Sequence, residues 1–285
     1  MAQKGVTFAS AKANFDEAHF VIVGVPFETG KSLRPGCRGG PKAIREASHN
    51  LETYLFEHDL DLRSVPVHDM GDLPKVKKNT DMVEHVRQAA EKIIGAGKFP
   101  IFMGGEHIIS LPVVQSFKDI GVISIDAHLD FREEQDGSAL GGSCVMRRMA
   151  DQIGLENVLP FGVRSISLEE KTSKMPNYID SFSIHEQGIE NSWKRAMNMM
   201  RRERVFLSLD IDGIDPSFAP GTGTPEPFGL SPYEVKRCIN MLGERMVGFD
   251  VSEVCPACDQ GSTAVLAARL VQEVLAVGWK HRKGK

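Results

Sequence analysis

The strongest constraint on the fold of this chain is a regular alternation of short apolar segments with longer amphipathic ones. Near-continuous apolar runs such as FVIVGV and VFLSL predict strands that are buried on both faces of a sheet. The predicted strands cover residues 19–25, 63–70, 99–103, 122–126, 158–163, 178–184, 205–210 and 247–251. Strands that alternate with helices indicate parallel pairing, with crossover helices on both faces of the sheet.

The amphipathic segments between these strands predict helices. They cover residues 40–47, 80–96, 110–117, 145–153, 168–174, 190–202, 232–242 and 263–277. No repeat, low-complexity tract or long Pro/Gly/Ser linker interrupts the pattern. We therefore expect an α/β fold with a single domain over residues 1–285.

Composition and charge exclude several classes of protein. The hydrophobic fraction of 41% and the charged fraction of 25% are those of an ordinary globular chain. The net charge is −4, and cations cluster only in the tail at Lys280, Arg282, Lys283 and Lys285, so nucleic acid is not an expected partner. No stretch reaches the roughly 18 apolar residues of a membrane span, and the first residues hold no apolar signal segment. We expect a cytoplasmic protein without a membrane partner.

The cysteines argue against a disulfide framework. They are Cys37, Cys144, Cys238, Cys255 and Cys258, an odd number in a long chain, so we expect reduced thiols. Cys255 and Cys258 form a CxxC pair, which is a redox motif in some proteins and half of a zinc site in others. Because the chain has no second CxxC, the favoured interpretation is a plain loop after a strand.

Polar clusters follow the third, fourth and seventh predicted strands, and open α/β sheets place their ligands at such strand ends. In extended backbone, alternate residues point to one side, so we expect Asp126, His128 and Asp130 to converge. The same argument applies to Asp210 and Asp212. The candidate ligands are His107, Asp126, His128, Asp130, Asp210 and Asp212.

These side chains predict bound cations. Buried together, they would repel one another and lose hydration, at several kcal/mol for each unpaired ion. No Lys or Arg lies among them, and an oxygen-rich set with two imidazoles suits Mn²⁺ better than structural zinc. Sharing of the ligands between two ions leaves room for a water. The alternative, in which the acids only cap turns, requires all three clusters to be incidental.

The motifs resemble those of the ureohydrolase family, which includes arginases and agmatinases. The resemblance covers residues 24–48, the segments GGEH and SIDAHLD, and residues 208–232 and 248–260. It implies a three-layer αβα fold with a central eight-stranded parallel sheet, the arginase-like fold. It also implies two Mn²⁺ per subunit, a small guanidino substrate and a homo-oligomer, either a trimer or a hexamer.

Carried over position by position, the resemblance implies the same six metal ligands. Glu253 matches the acid that pairs with the substrate guanidinium. Thr224 matches a hydrogen-bonding residue near the site, although a plain turn role is equally open. In the mechanism that follows as a hypothesis, activated water attacks the guanidinium carbon, and Asp130 passes the water's remaining proton to the leaving amine.

The segment after the fourth strand bears on the substrate. It is acidic, with Glu133, Glu134 and Asp136, as in the agmatinase branch, and it lacks the Asn and Ser/Thr residues by which arginases bind an amino acid. We therefore expect agmatine or a related guanidino-amine, converted to urea and an amine such as putrescine in polyamine biosynthesis. A solvated acidic loop is the alternative.

One position departs from the family. Where family agmatinases carry a histidine assigned to proton shuttling, this chain has Gly142, and loss of such a group costs about 10²–10⁴ in rate. Three interpretations stay open: an active amidinohydrolase that moves protons through Asp130, solvent or Cys144, a metal-binding protein without turnover, or a hydrolase of another C–N bond such as a formimino group. The first is preferred, because the ligand set and Glu253 are intact. The glycine also enlarges the pocket, which favours a bulkier substrate.

Overall fold

The computed structural model describes residues 6–29 and 32–283. Residues 30 and 31 of the first family-like segment, and Lys285 of the basic tail, lie outside these ranges. The strands are β1 (Phe20–Gly24), β2 (Tyr54–Leu55), β3 (Leu60–Asp61), β4 (Val67–Asp72), β5 (Phe99–Met103), β6 (Gly121–Ile125), β7 (Val158–Val163), β8 (Ile179–Asp180), β9 (Val205–Asp210) and β10 (Met246–Ser252). The helices are α1 (Gly40–Ser48), α2 (Asn79–Gly95), α3 (Ser110–Gln115), α4 (Val145–Ile153), α5 (Leu168–Thr172), α6 (Ser181–Gln187), α7 (Ile189–Met199), α8 (Pro232–Leu242) and α9 (Ser262–Lys283).

A central parallel sheet organises the described chain. Its eight strands lie in the order β4-β1-β5-β10-β9-β6-β7-β8, and a separate antiparallel hairpin joins β2 to β3. Side chains alternate between two cores: Phe20 and Ile22 of β1 belong to one, whereas Val21 and Val23 belong to the other. Helices α1 and α6 to α9 supply the first core, and α2 to α4 supply the second. The predicted three-layer αβα architecture is confirmed.

The sixth predicted strand is largely wrong. Residues 178–184 were expected to be extended, but only Ile179–Asp180 pairs with β7, and a helix begins at Ser181. The Asp180 carboxylate accepts hydrogen bonds from the backbone N–H and the hydroxyl of Ser183, at 2.8 and 2.7 Å. This capping satisfies an otherwise unpaired donor at the helix start, and it outweighs the apolar pattern that favoured a strand.

Two other features of the described chain concern earlier expectations. Cys255 and Cys258 are joined by a disulfide, so the prediction that all cysteines are reduced is wrong for this pair. Cys37, Cys144 and Cys238 are free and buried. Among the described helices, none combines the length and the apolar character that a membrane crossing requires.

The strand order brings four segments of the chain together at the carboxyl-terminal ends of the central strands. The chain forms β1, moves outward to β4, returns to β5 and then passes through β6 and β7 to the opposite edge at β8. It finally returns to insert β9 and β10 between β5 and β6. Because β5, β10, β9 and β6 are parallel neighbours, the segments after their carboxyl ends lie side by side.

Candidate active site

All six predicted ligands lie at the carboxyl-terminal ends of these strands, in two groups. The first group is centred on His107, which is buried where the chain turns after β5. Its Nδ1 lies 3.0 Å from Oδ2 of Asp130, 3.1 Å from Oδ2 of Asp126 and 3.4 Å from Oδ2 of Asp210. Three carboxylate oxygens therefore lie within 3.4 Å of one imidazole nitrogen.

The second group is centred on His128. Its Nδ1 lies 3.1 Å from Oδ2 of Asp212 and 3.6 Å from Oδ1 of Asp126. Donor atoms of His107, Asp126 and Asp130 lie within 4.8 Å of one another, and the same holds for Asp126, His128 and Asp212. Because Asp126 belongs to both groups, the two candidate cation positions are neighbours that share one carboxylate.

Local backbone conformation brings these residues together in a way that the extended-strand argument did not anticipate. That argument is wrong for residues 126–130, because β6 ends at Ile125 and the chain then turns, and it is wrong for Asp210 and Asp212, because β9 ends at Asp210 and a 3-10 helix follows at Ile211–Gly213. Asp126 Oδ1 accepts the backbone N–H of His128 at 2.6 Å, and Asp130 has left-handed backbone with φ 51°. Such conformations cost about 1–3 kcal/mol in a residue other than glycine, and they concentrate at functional sites.

A hydrogen-bonded chain fixes the orientation of the His107 ring. The Ser208 hydroxyl donates to Oδ1 of the buried Asp250 at 2.7 Å, so its oxygen is left to accept from His107 Nε2, 3.0 Å away. A hydrogen on Nε2 leaves the lone pair of Nδ1 directed at the carboxylates. This is the outer-shell arrangement that orients histidine ligands of metals.

The charge of the site is incompletely neutralised within the described chain. Asp126 Oδ2 is buried and has no hydrogen-bond partner among the described residues. Burial and the charge of Asp126 raise the pKa of Asp130 to about 6, and burial with neighbouring carboxylates raises the pKa of Asp210 well above its ordinary value. Arg164 lies nearby, but its guanidinium donates to backbone carbonyls, including that of Asp212 at 2.6 Å. Oxygen-rich donors with an orphaned carboxylate oxygen fit divalent cations.

Glu253 lies beside the first group, directly after β10. Its Oε1 accepts the backbone N–H of His107 at 2.9 Å, and its own N–H donates to Gly105 O at 2.8 Å. Its backbone is left-handed, with φ 60°. Burial raises the pKa of Glu253 to about 8, and the negative charge of Glu106 adds to this effect although the N–H of His107 opposes it. A buried carboxylate thus lies beside the paired groups, and no Lys or Arg of the described residues forms a salt bridge with it.

Gly142, the position of the family histidine, is next to Glu253. A Cβ atom built on Gly142 would lie 3.9 Å from Glu253 Oε1, with no closer contact to the described residues outside its chain neighbours. A side chain at this position would therefore face the site. The buried Cys144 is a poor substitute as a proton carrier, because burial raises the pKa of its thiol.

The acidic side chains after the fourth predicted strand make contacts that the sequence analysis did not predict. Glu133 forms ion pairs with Arg147 at 2.5 Å and with Arg148 at 3.4 Å. Glu134 and Asp136 are exposed. The segment therefore does not present Glu133 as an unpaired acid, which weakens the original basis for an amine-binding role.

Glu226 is the site residue that sequence reasoning missed. Its Oε1 lies 3.9 Å from His128 Nε2, on the side of the ring away from Asp212, and accepts the Ser165 hydroxyl at 3.1 Å. The only signal was its place two residues after Thr224, in the family-like segment GTGTPE, because it does not follow a strand. Thr224 itself is exposed.

Two adjacent candidate cation sites at the strand ends of a parallel αβα sheet define the class of the protein. A model of the Arginase family matches residues 18–277, so the chain belongs to this family. It is 35% identical to an agmatinase of Bacillus anthracis, with 98% of each chain covered. It is also 34% identical to an N(1)-aminopropylagmatine ureohydrolase of Thermococcus kodakarensis, with 93% of this chain and 94% of that protein covered.

A solved structure supports the same assignment. The agmatine ureohydrolase of Thermoplasma volcanium superposes with a TM-score of 0.94 at 35% identity, covering 99% of this chain and 97% of that one. The predicted membership of the arginase and agmatinase family is confirmed. The chain is accordingly a hydrolase that acts on C–N bonds in linear amidines.

Proposed function

We propose that this protein is a binuclear manganese amidinohydrolase that cleaves agmatine or a related guanidino-amine into urea and an amine such as putrescine. The observation that carries the proposal is the pair of donor groups joined through Asp126, with the buried Glu253 beside them. The similarity to proteins named agmatinase supports the substrate class. A role in polyamine biosynthesis, a cytoplasmic location and a trimeric or hexameric assembly are predictions that accompany it.

The grouping of the six side chains supports a metal-binding role for them. His107, Asp130 and Asp210 would hold one ion, His128 and Asp212 the other, and Asp126 would bridge the two. When bound, two Mn²⁺ would supply a water whose pKa is lowered toward neutrality and neutralise the charge of the carboxylates.

Glu253 would bind the substrate, and Asp130 would transfer the proton. The Glu253 carboxylate would pair with the substrate guanidinium and position the guanidinium carbon over the paired groups. The hydrogen bond from the N–H of His107 fixes the direction of this carboxylate. Asp130, which lies 3.0 Å from His107 Nδ1 among the paired groups, would take a proton from the attacking water and return it to the leaving nitrogen. Proton transfer through Asp130 would lessen the need for a histidine at Gly142.

We assign the far end of the substrate to Glu226. This carboxylate is partly exposed beside His128, where an ammonium group could approach it, whereas Glu133 is ion-paired. Glu226→Gln should raise KM for agmatine and leave KM for guanidinobutyrate, which lacks the amine, nearly unchanged. Glu133→Gln is the matched control and should affect neither. Equal effects of Glu226→Gln on both substrates would remove the assignment. A hydrogen-bonding role of Thr224 stays a prediction.

One assay tests the activity as a whole. Mn²⁺-loaded protein is incubated with agmatine, N(1)-aminopropylagmatine, guanidinobutyrate, arginine and formiminoglutamate, and urea and formamide are measured. Urea from a guanidino-amine supports the proposal, and a preference for aminopropylagmatine would agree with the space at Gly142. Formamide without urea would assign a formimino hydrolase. No product with two ions bound would indicate a binding protein.

Two variants probe proton transfer in the same assay. Full urea production by Asp130→Asn would contradict the role of Asp130. Gly142→His adds the family side chain next to Glu253, where the structure leaves room for a Cβ. An unchanged rate in this variant would show that the glycine is compensated elsewhere.

A further inference from the structure

The Cys255–Cys258 disulfide is the clearest chemical feature that the proposed reaction does not use. It closes the short turn Pro256–Ala257, with 5.5 Å between the two Cα atoms. Cys255 is fully buried, whereas Cys258 is partly exposed. Cys258 is therefore the member of the pair that a thiol from solvent would approach.

The turn is tied directly to the chain segment that presents Glu253. Cys255 follows Glu253 by two residues, and its backbone N–H donates to Gly221 O at 2.7 Å. Val254, between them, forms an isolated antiparallel bridge with Thr222. The backbone that carries the Glu253 carboxylate thus continues without a break into the disulfide loop.

The other side of the loop packs tightly against residues 34–40. The Cys255 sulfur lies 3.4 Å from Pro35 O. A Cβ on Gly36 would be only 2.9 Å from that sulfur, and one on Gly39 only 2.9 Å from Pro256, so glycine permits the approach at both positions. Close packing on two sides means that a change in the loop is transmitted to its neighbours rather than absorbed by solvent.

We propose that Cys255 and Cys258 form a reversible dithiol–disulfide couple that controls the position of Glu253. The inference rests on the proposed function, because Glu253 is taken to bind the guanidinium. In the disulfide form, the closed turn restrains the left-handed backbone of Glu253 and keeps its carboxylate on the N–H of His107. In the dithiol form, the turn can open, and a smaller fraction of molecules holds Glu253 in place.

The exchange needs only an external dithiol. Its thiolate attacks the Cys258 sulfur, the Cys255–Cys258 bond breaks, and Cys255 leaves as a thiolate that takes up a proton. The second thiol of the reagent, as its thiolate, then attacks the mixed disulfide and releases Cys258 as a thiolate, which is protonated. The protein gains two electrons and two protons, and the reagent becomes a cyclic disulfide. Oxidation by a small-molecule disulfide reverses these steps.

The couple is tested on the full-length, Mn²⁺-loaded protein prepared without reductant. Thiols titrated after denaturation should number three before treatment with dithiothreitol and five after it, since the chain has five cysteines and three are free in the structure. After the reagent is removed, KM for agmatine should rise about three- to tenfold with kcat little changed, if the competent fraction falls to about a tenth to a third. Small-molecule disulfide should restore the original KM.

Variants separate this effect from a general effect of thiols. Cys258→Ser should show the raised KM and no further response to dithiothreitol. Cys238→Ala removes a buried cysteine in α8, outside the loop, and should respond like the wild type. Five free thiols in the untreated protein, or an unchanged KM after confirmed reduction, would overturn the proposal.

A measurement without substrate separates this proposal from the proposed function. Hydrogen exchange of residues 253–258 and of the His107 amide should be faster in the reduced protein than in the oxidised protein. If no guanidino compound is hydrolysed but exchange changes as expected, the proposed function fails and the coupling to Glu253 stands. If urea is produced but exchange in both segments is independent of reduction, the coupling fails alone.

Discussion

Two clusters of buried charged residues lie along the sheet, and their charges are neutralised in different ways. Near β4, Arg45 of α1 donates two hydrogen bonds to the carboxylate of Asp69, at 2.8 and 2.9 Å, and also contacts Asp72. At the ends of the central strands, four aspartates face two histidines, and Asp126 Oδ2 has no hydrogen-bond partner among the described residues. The first cluster is completed within the chain, whereas the second requires positive charge from outside.

The comparison separates a structural ion pair from a binding site. Burial alone would lower the pKa of Arg45, but its hydrogen bonds to Asp69 and the negative charges of Asp69 and Asp72 outweigh burial and raise it. In the central cluster, burial and mutual repulsion raise the pKa values of Asp130 and Asp210, so these charges are unfavourable where they stand. A buried pair that satisfies itself belongs to the fold, and a buried set that does not is a candidate for a ligand.

The largest effect is expected from Asp126→Asn. Loss of the shared ligand should lower kcat/KM for urea production by about 10³-fold or more, because activation of water by paired ions depends on their common carboxylate. The metal content should fall below two per subunit, measured after dialysis against Mn²⁺. Full activity of this variant with two ions bound would contradict the shared role of Asp126.

The opposite pattern is expected from Asp69→Asn. Breaking a buried pair from one side costs up to about 3–5 kcal/mol of unfolding free energy, because Arg45 keeps its charge and retains only the half-exposed Asp72 as an ionic partner. Urea denaturation of the metal-free protein measures this loss. The folded fraction should still bind two Mn²⁺. Loss of Mn²⁺ binding at full stability would show that the two clusters are not independent.

Removal of Mn²⁺ should distinguish the Arg45 cluster from the Asp126 cluster by its effect on the free energy of unfolding. Mn²⁺ at about a hundredfold excess over its Kd should raise the unfolding free energy by about 2.7 kcal/mol for each occupied site. The increment should be preserved in Asp69→Asn and reduced in Asp126→Asn, as seen in thermal melts with and without a chelator. Equal increments in both variants would contradict a site centred on Asp126.

The smallest effect concerns pH and Glu253, whose pKa is raised to about 8. Its carboxylate must be ionised to pair with a guanidinium, so kcat/KM of the Mn²⁺-loaded enzyme should fall as pH is lowered through the pKa that this group has there. Because the folded protein holds this proton more tightly than the unfolded chain, the contribution of Glu253 to stability should decrease as pH rises from the unfolded pKa, near 4.5, to about 8. In Glu253→Gln, kcat/KM should be low and this dependence should be absent. An unaltered pH profile in this variant would assign the titration to another group.

Much of the site could be predicted because strand ends are visible in a sequence. The run before His107 and the run before Asp210 are short, apolar and followed by acids or imidazoles, which identifies both as carboxyl ends of buried strands. The arrangement of Asp126, His128 and Asp130 was predicted for the wrong reason, since a turn and a left-handed Asp130 bring them together. Glu226 gave little local signal, because only folding brings it against His128.

The sequence alone determined the strands of the sheet and the helices that cover it, apart from β8 and α6. It also determined the identity of the candidate ligands. These depend on local patterns of apolar residues and on residue chemistry, which a single segment contains. Only the tertiary structure decided that β9 and β10 insert between β5 and β6, that Glu253 reaches the N–H of His107, and that Cys255 meets Cys258. These contacts depend on the packing of segments far apart in the chain and on the exact course of loops, neither of which a local pattern records.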